Sequence, residues 1–229
     1  MNSIKLCAVL SIPRLGFNDF WGAVIDILGP RGIPLFRYGG AYWEQGITRV
    51  LENAIGTGAE YILTLDFDSV FSGQDIDTLA TLAVEHPEAD AIIPIQVARS
   101  KSIPLFSMRS DTGAMLAEVD KSAFDADLVP VDTGHFGCTL LKASAFPALA
   151  RPWFHSQPDA EGRWGDGRID ADIFFWRQWR QAGKSIYLAP RVAIGHLEQV
   201  IAWPDQNMTT LWQYPSELKS SGLPAGRWE

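Results

Sequence analysis

The chain has 229 residues, 47% of them hydrophobic, and no low-complexity tract, enough for one sizeable core. Lys and Arg total 19 against 27 Asp and Glu, a formal charge of -8 with the basic residues scattered, which argues against strong sequence-independent binding to nucleic-acid phosphates without excluding a local basic groove. Met1 to Pro13 hold a short apolar run that is too short for a signal peptide or a membrane span, so a cytoplasmic protein is expected.

Lys5 to Ile12 reads as a buried first strand, closed by Pro13-Arg14-Leu15-Gly16. A helix is expected over Asp19 to Leu28 and a short strand over Ile33 to Arg37. After Gly39-Gly40, the apolar positions Ile47, Val50, Leu51, Ala54 and Ile55 follow helical spacing from Trp43 until Gly56 and Gly58. The aliphatic strand Tyr61 to Leu65 follows at once. Strand, helix, strand, helix, strand is the pattern of a parallel sheet covered on both faces, in which ligands bind beyond the carboxyl ends of the strands.

Further on, a helix is expected over Ile76 to Glu85 and a strand over Ala91 to Val97, then a weaker region from Ser100 to Val129 with a hairpin around Ser110 to Gly113. Gly137 to Lys142 reads as a strand and Ser144 to Leu149 as a short helix. His155 to Arg168 is polar, aperiodic and long enough to suggest a functional loop. Asp172, Phe175, Trp176, Trp179 and Ala182 share one helical face before Gly183, and Ser185 to Ala189 is a strand that Pro190 turns towards Val192 to His196. Residues 1–200 are expected to form the domain, with 201–229 a tail of little regular pattern packed across it. Cys7 and Cys138 sit in apolar, strand-like surroundings and read as reduced, buried thiols.

The most informative segment is Tyr61 to Val70, where a buried strand runs into Asp66-Phe67-Asp68. Two carboxylates where the chain leaves the core are unfavourable unless a cation sits with them, and hard oxygen donors suit Mg²⁺ or Mn²⁺, which commonly hold a substrate's phosphates. A turn rich in Asp and Ser is the structural alternative.

Two families compete for this segment. Asp66-Phe67-Asp68-Ser69-Val70 resembles the nucleophile motif of haloacid-dehalogenase-like phosphatases, and Gly165-Asp166-Gly167-Arg168-Ile169-Asp170 imitates their late motif. The context differs at both ends: two strand-helix units precede Asp66, and a polar stretch rather than a hydrophobic strand precedes Gly165.

The order of elements resembles the GT-A fold glycosyltransferases that use nucleotide sugars, especially the family-2-like group. Tyr61 to Asp68 looks like their aliphatic strand plus Asp-x-Asp, Val131 to Leu141 like their Gly-containing strand beside the donor sugar, and Asp172-Ile173-Phe174-Phe175 like their Glu-Asp-x-x-Phe helix, with Ala171 in place of the Glu. Arg49 and Asn53 stand where that group carries an adjacent Arg-Asn pair.

The resemblance implies an α/β fold with a mostly parallel sheet, a UDP- or GDP-sugar donor, and a divalent metal, Mn²⁺ or Mg²⁺, held by Asp66, Asp68 and His196. It also implies donor contacts from Ser11, Pro13, Arg14, Arg49, Asp66, Asp132 and Gly137, and a catalytic base at Asp172, with Asp170 as its substitute.

The residues themselves admit structural readings too. His196 after an aliphatic strand serves equally as a hydrogen-bonded structural residue, Asp172 as a helix N-cap, and His135 and Asp132 as loop-edge residues. Trp164 in the long loop is the better stacking candidate for an acceptor, the helical tryptophans being packing. A nucleotidyltransferase is the nearest enzyme rival, disfavoured because Ser11 to Gly16 lacks a basic Gly-rich loop; a catalytically silent nucleotide-sugar-binding protein is the other. Donor sugar, acceptor and oligomeric state stay open.

Overall fold

A computed structural model describes residues 4–13, 16–99, 103–108 and 121–228. Arg14 and the hairpin expected around Ser110 to Gly113 lie outside the described residues. In chain order the elements are β1 (Leu6–Ile12), α1 (Asn18–Leu28), β2 (Leu35–Gly39), α2 (Trp43–Gly56), β3 (Tyr61–Leu65), β4 (Ser69–Val70), α3 (Gly73–Glu85) and β5 (Ala91–Ile95). They continue with β6 (Val129–Pro130), β7 (Cys138–Lys142), α4 (Ala171–Gln181), β8 (Ile186–Ala193), β9 (Gly195–His196), β10 (Ile201–Pro204), β11 (Thr210–Gln213) and α5 (Pro215–Ser221).

The main sheet has the order β2-β1-β3-β7-β5-β8-β6. Pairings β1–β2, β1–β3 and β5–β8 are parallel, whereas β7 runs antiparallel between β3 and β5, and β6 antiparallel on β8. The α/β class with a mostly parallel sheet is therefore the one present. Alternation explains the layers: Cys7, Val9 and Ile62 pack with α2 and α4 on one face, while Ala8, Leu10, Leu63 and Leu65 pack with α1 and α3 on the other. On the α4 side the core is aromatic. Phe175 stacks on Phe154 at 4.8 Å, and Trp176 and Trp179 are fully buried beside Phe136 and Phe146. Truncating such a ring costs roughly 3–5 kcal/mol.

Gly58, at φ +68, lets the chain leave α2 and enter β3 directly, a conformation that a side chain there would strain. α3 starts earlier than its apolar periodicity predicts, because Ser72 and Asp75 form a reciprocal capping box, Asp75 accepting the Ser72 amide at 2.7 Å. The short helix expected over Ser144 to Leu149 is a 3₁₀ segment, Ala143–Ala148.

Pro190 does not end its strand. β8 continues to Ala193 because the register against β5 slips, Pro94 pairing with Ala189 and Ile95 with Ala193, so the proline falls in an irregularity where no ladder hydrogen bond is needed. The tail also holds more regular structure than expected: β10 and β11 form an antiparallel hairpin, with the Trp203 indole donating to Gln213 at 3.0 Å, and α5 follows. Cys7 and Cys138 are free, buried thiols; burial pushes Cys7 up to about 11 and Cys138 higher still. Among the described residues no helix is long and apolar enough to cross a membrane.

Candidate active site

Parallel pairing brings the carboxyl ends of β1, β3, β5 and β8 to one edge of the sheet, and the antiparallel β7 begins there, Cys138 standing opposite Leu65. Beyond β3 the chain turns tightly, the Ser69 amide bonding the Asp66 carbonyl at 3.1 Å, and β4 then pairs with β9 so that Ser69 faces His196. Gly195 eases this approach, since a Cβ there would lie 3.2 Å from that of Val70 and require it to shift.

Asp68 is 3% exposed. Its Oδ2 lies 3.4 Å from Nε2 of His196 and 2.9 Å from a guanidinium nitrogen of Arg99. Nδ1 of His196 is 3.0 Å from the Val97 carbonyl, which only accepts, so Nδ1 carries a proton. In the neutral ring, Nε2 therefore turns a lone pair towards a carboxylate oxygen. That arrangement is satisfied only by a proton or a cation between them, and the hydrogen bond with Asp68 accordingly holds the imidazole above its ordinary basicity. A histidine with one nitrogen anchored to a carbonyl and the other aimed at a carboxylate is also the arrangement that orients a metal ligand.

Asp66 is raised to about 7, chiefly by burial and then by the charge of Asp68, with Asp172 adding to it; the charge of His196 and a hydrogen bond from Trp43 oppose the rise. Asp172 is also raised by burial, against a hydrogen bond from the Ile173 amide at 2.8 Å. The N-cap of α4 is Asp170, not Asp172, and its side chain makes no capping bond. The structure thus brings Asp66, Asp68 and His196 to one strand end, with Asp172 in the first turn of α4 near enough for its charge to act on Asp66. Among the described residues, no group of three His, Cys, Asp or Glu side chains converges closely enough to hold an ion.

Of the remaining expected residues, Gly137, Pro13 and Ser11 lie at or beside the site, and Asp170, Arg49 and Asp132 have other partners. Asp170 is exposed and bound through both oxygens to Arg168, at 2.7 and 3.3 Å. Ser11 is buried, its hydroxyl donating to the Trp43 carbonyl at 3.2 Å. Arg49 lies over the Tyr38 ring at 4.8 Å and donates to its hydroxyl at 3.1 Å. Asp132 is ion-paired with Arg180 of α4 at 2.8 Å. Gly137 lies close to the site's polar floor: a Cβ would meet Gln96 Oε1 at 2.7 Å, Ser69 Oγ at 2.8 Å and His135 Nδ1 at 2.9 Å. His135 is structural, its Nδ1 accepting the Gly137 amide at 3.0 Å and its Nε2 donating to the Pro94 carbonyl at 2.9 Å.

Pro13 helps line a cleft of about 370 Å³ beside the site, with Phe17, Phe67, Arg99 and Leu197. Phe17 and Phe67 stack with centroids 6.0 Å apart and planes 7° from parallel. The long loop of residues 155–168 is tied to α2 through Ser156 and Glu44 at 3.2 Å and internally through Asp159 and Arg163, with Trp164 61% exposed.

Sequence reasoning passed over three residues of the site: Arg99, Trp43 and Gln96. A buried glutamine at a strand end, 3% exposed and donating to the Gly195 carbonyl at 3.2 Å, is a polar position in an apolar run and is the one signal that was legible.

No protein-family model and no curated protein sequence matches the chain. Among solved structures it is similar to A197 from STIV, with a TM-score of 0.60 and 14% identity over 92% of this chain and 94% of that one. It is also similar to GalNAc-T7 crystallised with UDP, GalNAc and Mn²⁺, with a TM-score of 0.53 and 11% identity over 85% of this chain. The chain spans 44% of the GalNAc-T7 chain. At these identities the likenesses establish the fold, and the GT-A-like α/β architecture expected from the sequence is the one they share.

Proposed function

We propose that the chain is a metal-dependent glycosyltransferase that moves a sugar from a UDP- or GDP-sugar to an acceptor hydroxyl. The observation that carries this reading is the Asp68–His196 pair at one strand end, 3.4 Å apart, with the carboxyl of Asp66 charge-coupled to Asp68 and to Asp172. Its carboxylate oxygen suits Mn²⁺ or Mg²⁺ and its imidazole nitrogen favours Mn²⁺ of the two, and two protein ligands are sufficient where substrate phosphates and water complete the shell. Asp68 and His196 would hold the ion, with Asp66 beside them. A divalent ion bound there supplies Lewis acidity that stabilises charge developing on the departing diphosphate.

Asp172 takes the proton from the acceptor hydroxyl as that oxygen attacks the anomeric carbon, a role served by its upward-shifted basicity and one that favours inversion. The loop of residues 155–168 forms part of the acceptor side, where the open face of Trp164 suits stacking on a sugar ring. Asp170, exposed and paired with Arg168, is the second candidate for that role.

A thermal-shift panel of UDP, GDP and their sugars, with and without Mn²⁺, tests the reading, because a ligand that binds only the folded state raises stability in proportion to its affinity. Stabilisation by a nucleoside diphosphate that requires Mn²⁺ is expected. The same shift in excess chelator would sink the metal assignment, and donor binding without turnover across an acceptor panel would favour a silent nucleotide-sugar-binding protein.

A further inference from the structure

The segment after β5 touches three components of the site within four residues. Gln96 donates to the Gly195 carbonyl and to Ser69, the Val97 carbonyl accepts from His196, and Arg99 reaches Asp68. The first two contacts hold the scaffold. The third is different in kind: the Arg99 side chain is 46% exposed, whereas the Asp68 side chain that it meets is 5% exposed. A long, half-solvated arm thus places a positive charge on a buried carboxylate, which would be costly to leave unpaired. That charge rests on Oδ2, the oxygen that also faces His196 Nε2. A divalent ion between Asp68 and His196 and a guanidinium on the same oxygen repel each other, so the two occupancies are alternatives. Arg99 also lines the cleft containing Pro13, Phe17 and Phe67, which gives the displaced head a place to go at the site itself. A guanidinium carries a planar fork of donors matched to phosphate oxygens.

We propose that Arg99 is the resident counter-cation of Asp68, that an arriving divalent ion displaces it, and that the freed guanidinium then binds the diphosphate of the donor. The inference rests on the metal reading above and adds an order of events: Asp68 is never left without a cation, and phosphate capture is strengthened only once the metal is in place.

The test uses two probes that need no knowledge of sugar or base. Mn²⁺ binding without nucleotide is followed by the electron paramagnetic resonance of the free ion, and inorganic pyrophosphate binding in saturating Mn²⁺ by calorimetry. Arg99→Ala is expected to bind Mn²⁺ about tenfold more tightly than wild type, within the usual span of coupling between competing sites, and to bind pyrophosphate about tenfold more weakly. Arg99→Lys keeps the charge and loses the fork, so its Mn²⁺ affinity should stay near wild type while pyrophosphate binding falls. Should Arg99→Ala prove poorly folded, the lysine variant alone carries the comparison. Wild type and Arg99→Ala binding Mn²⁺ equally well would overturn displacement while leaving the metal site standing. Mn²⁺ binding to neither protein would remove the metal site and this inference with it. Pyrophosphate affinity unchanged in both variants would overturn the phosphate role.

Discussion

Asp68 holds the His196 strand with its main chain and the His196 ring with its side chain: its carbonyl accepts the Leu197 amide at 2.7 Å, and its Oδ2 lies 3.4 Å from Nε2. The separation of the two donors is therefore set by the backbone ladder rather than by side-chain choice. Asp68→Asn, which preserves shape and removes charge, should abolish Mn²⁺-dependent binding of a nucleoside diphosphate with an unchanged far-ultraviolet circular dichroism spectrum. His196→Ala should weaken Mn²⁺ binding by a smaller factor. Tight, metal-dependent binding to the Asp68 variant would show the ion to lie elsewhere.

Asp172 and Asp170 separate cleanly because their surroundings differ. Asp172→Asn keeps an oxygen for the Ile173 amide, so the helix start survives, but an amide cannot accept a proton; transfer should fall roughly 10²-fold or more with donor binding intact. Asp170→Asn loosens only an exposed, solvent-screened pair with Arg168 and should change transfer by a few-fold at most. Rates measured at saturating donor decide it: the reverse order of effects would move the base to Asp170, and two silent variants would point to a retaining mechanism.

His135 makes stability fall in acid. Burial, more than any other influence, lowers its basicity from 6.5 to about 4 in the folded chain, so below pH 6.5 the unfolded chain takes up a proton that the folded one refuses. Stability on this account is full above pH 6.5 and declines by roughly 3 kcal/mol as the pH falls towards 4. Urea unfolding across that range should show the decline in wild type, and a flatter limb in His135→Asn, whose plateau at pH 7.5 is lower because the bonds to Pro94 and Gly137 are disturbed. Parallel limbs in the two proteins would assign the acid sensitivity to other groups.

Phosphatase chemistry is expected to be absent. Asp66 is raised to about 7 by burial and by the Asp68 charge, the wrong direction for an anionic nucleophile, and the late Gly-Asp motif ends in an exposed Arg168–Asp170 pair. Generic phosphomonoesters should turn over negligibly, and mass spectrometry should find no aspartyl-phosphate on Asp66. A kinetic burst with such an ester would restore the dehalogenase-like reading.

Much of the fold was legible because buried strands and amphipathic helices leave strong local patterns: β3 and α2 match their expected spans. The direction of β7 was not legible. A strand buried on both faces, as Cys138 to Leu141 is, reads the same whichever way it runs, and its antiparallel insertion depends on partners far along the chain. Pro190 misled for a related reason, since the register slip that accommodates it exists only in the paired sheet. In the site, the Asp-x-Asp and the Gly-His pair stand out by composition. Arg99 does not, because nothing in the order of residues around it says that a loop arginine will meet a buried aspartate, and the pairing of Asp132 with Arg180 was hidden in the same way.

The slip between β5 and β8 has a consequence for how this molecule tolerates changes in chain length. Ala189 and Ala193 pair with adjacent residues of β5 although Pro190, Arg191 and Val192 intervene, so the sheet has already absorbed slack just ahead of His196. Because Ala193 is already re-paired with Ile95 and His196 with Ser69, shortening the chain there takes up that slack at the expense of the buried Val192 and of the Arg191–Asp127 pair, much as a leash tied off at a post can be trimmed behind the knot without moving the collar. The placement of the imidazole thus rests on pairings beyond the slip, not on the three residues within it.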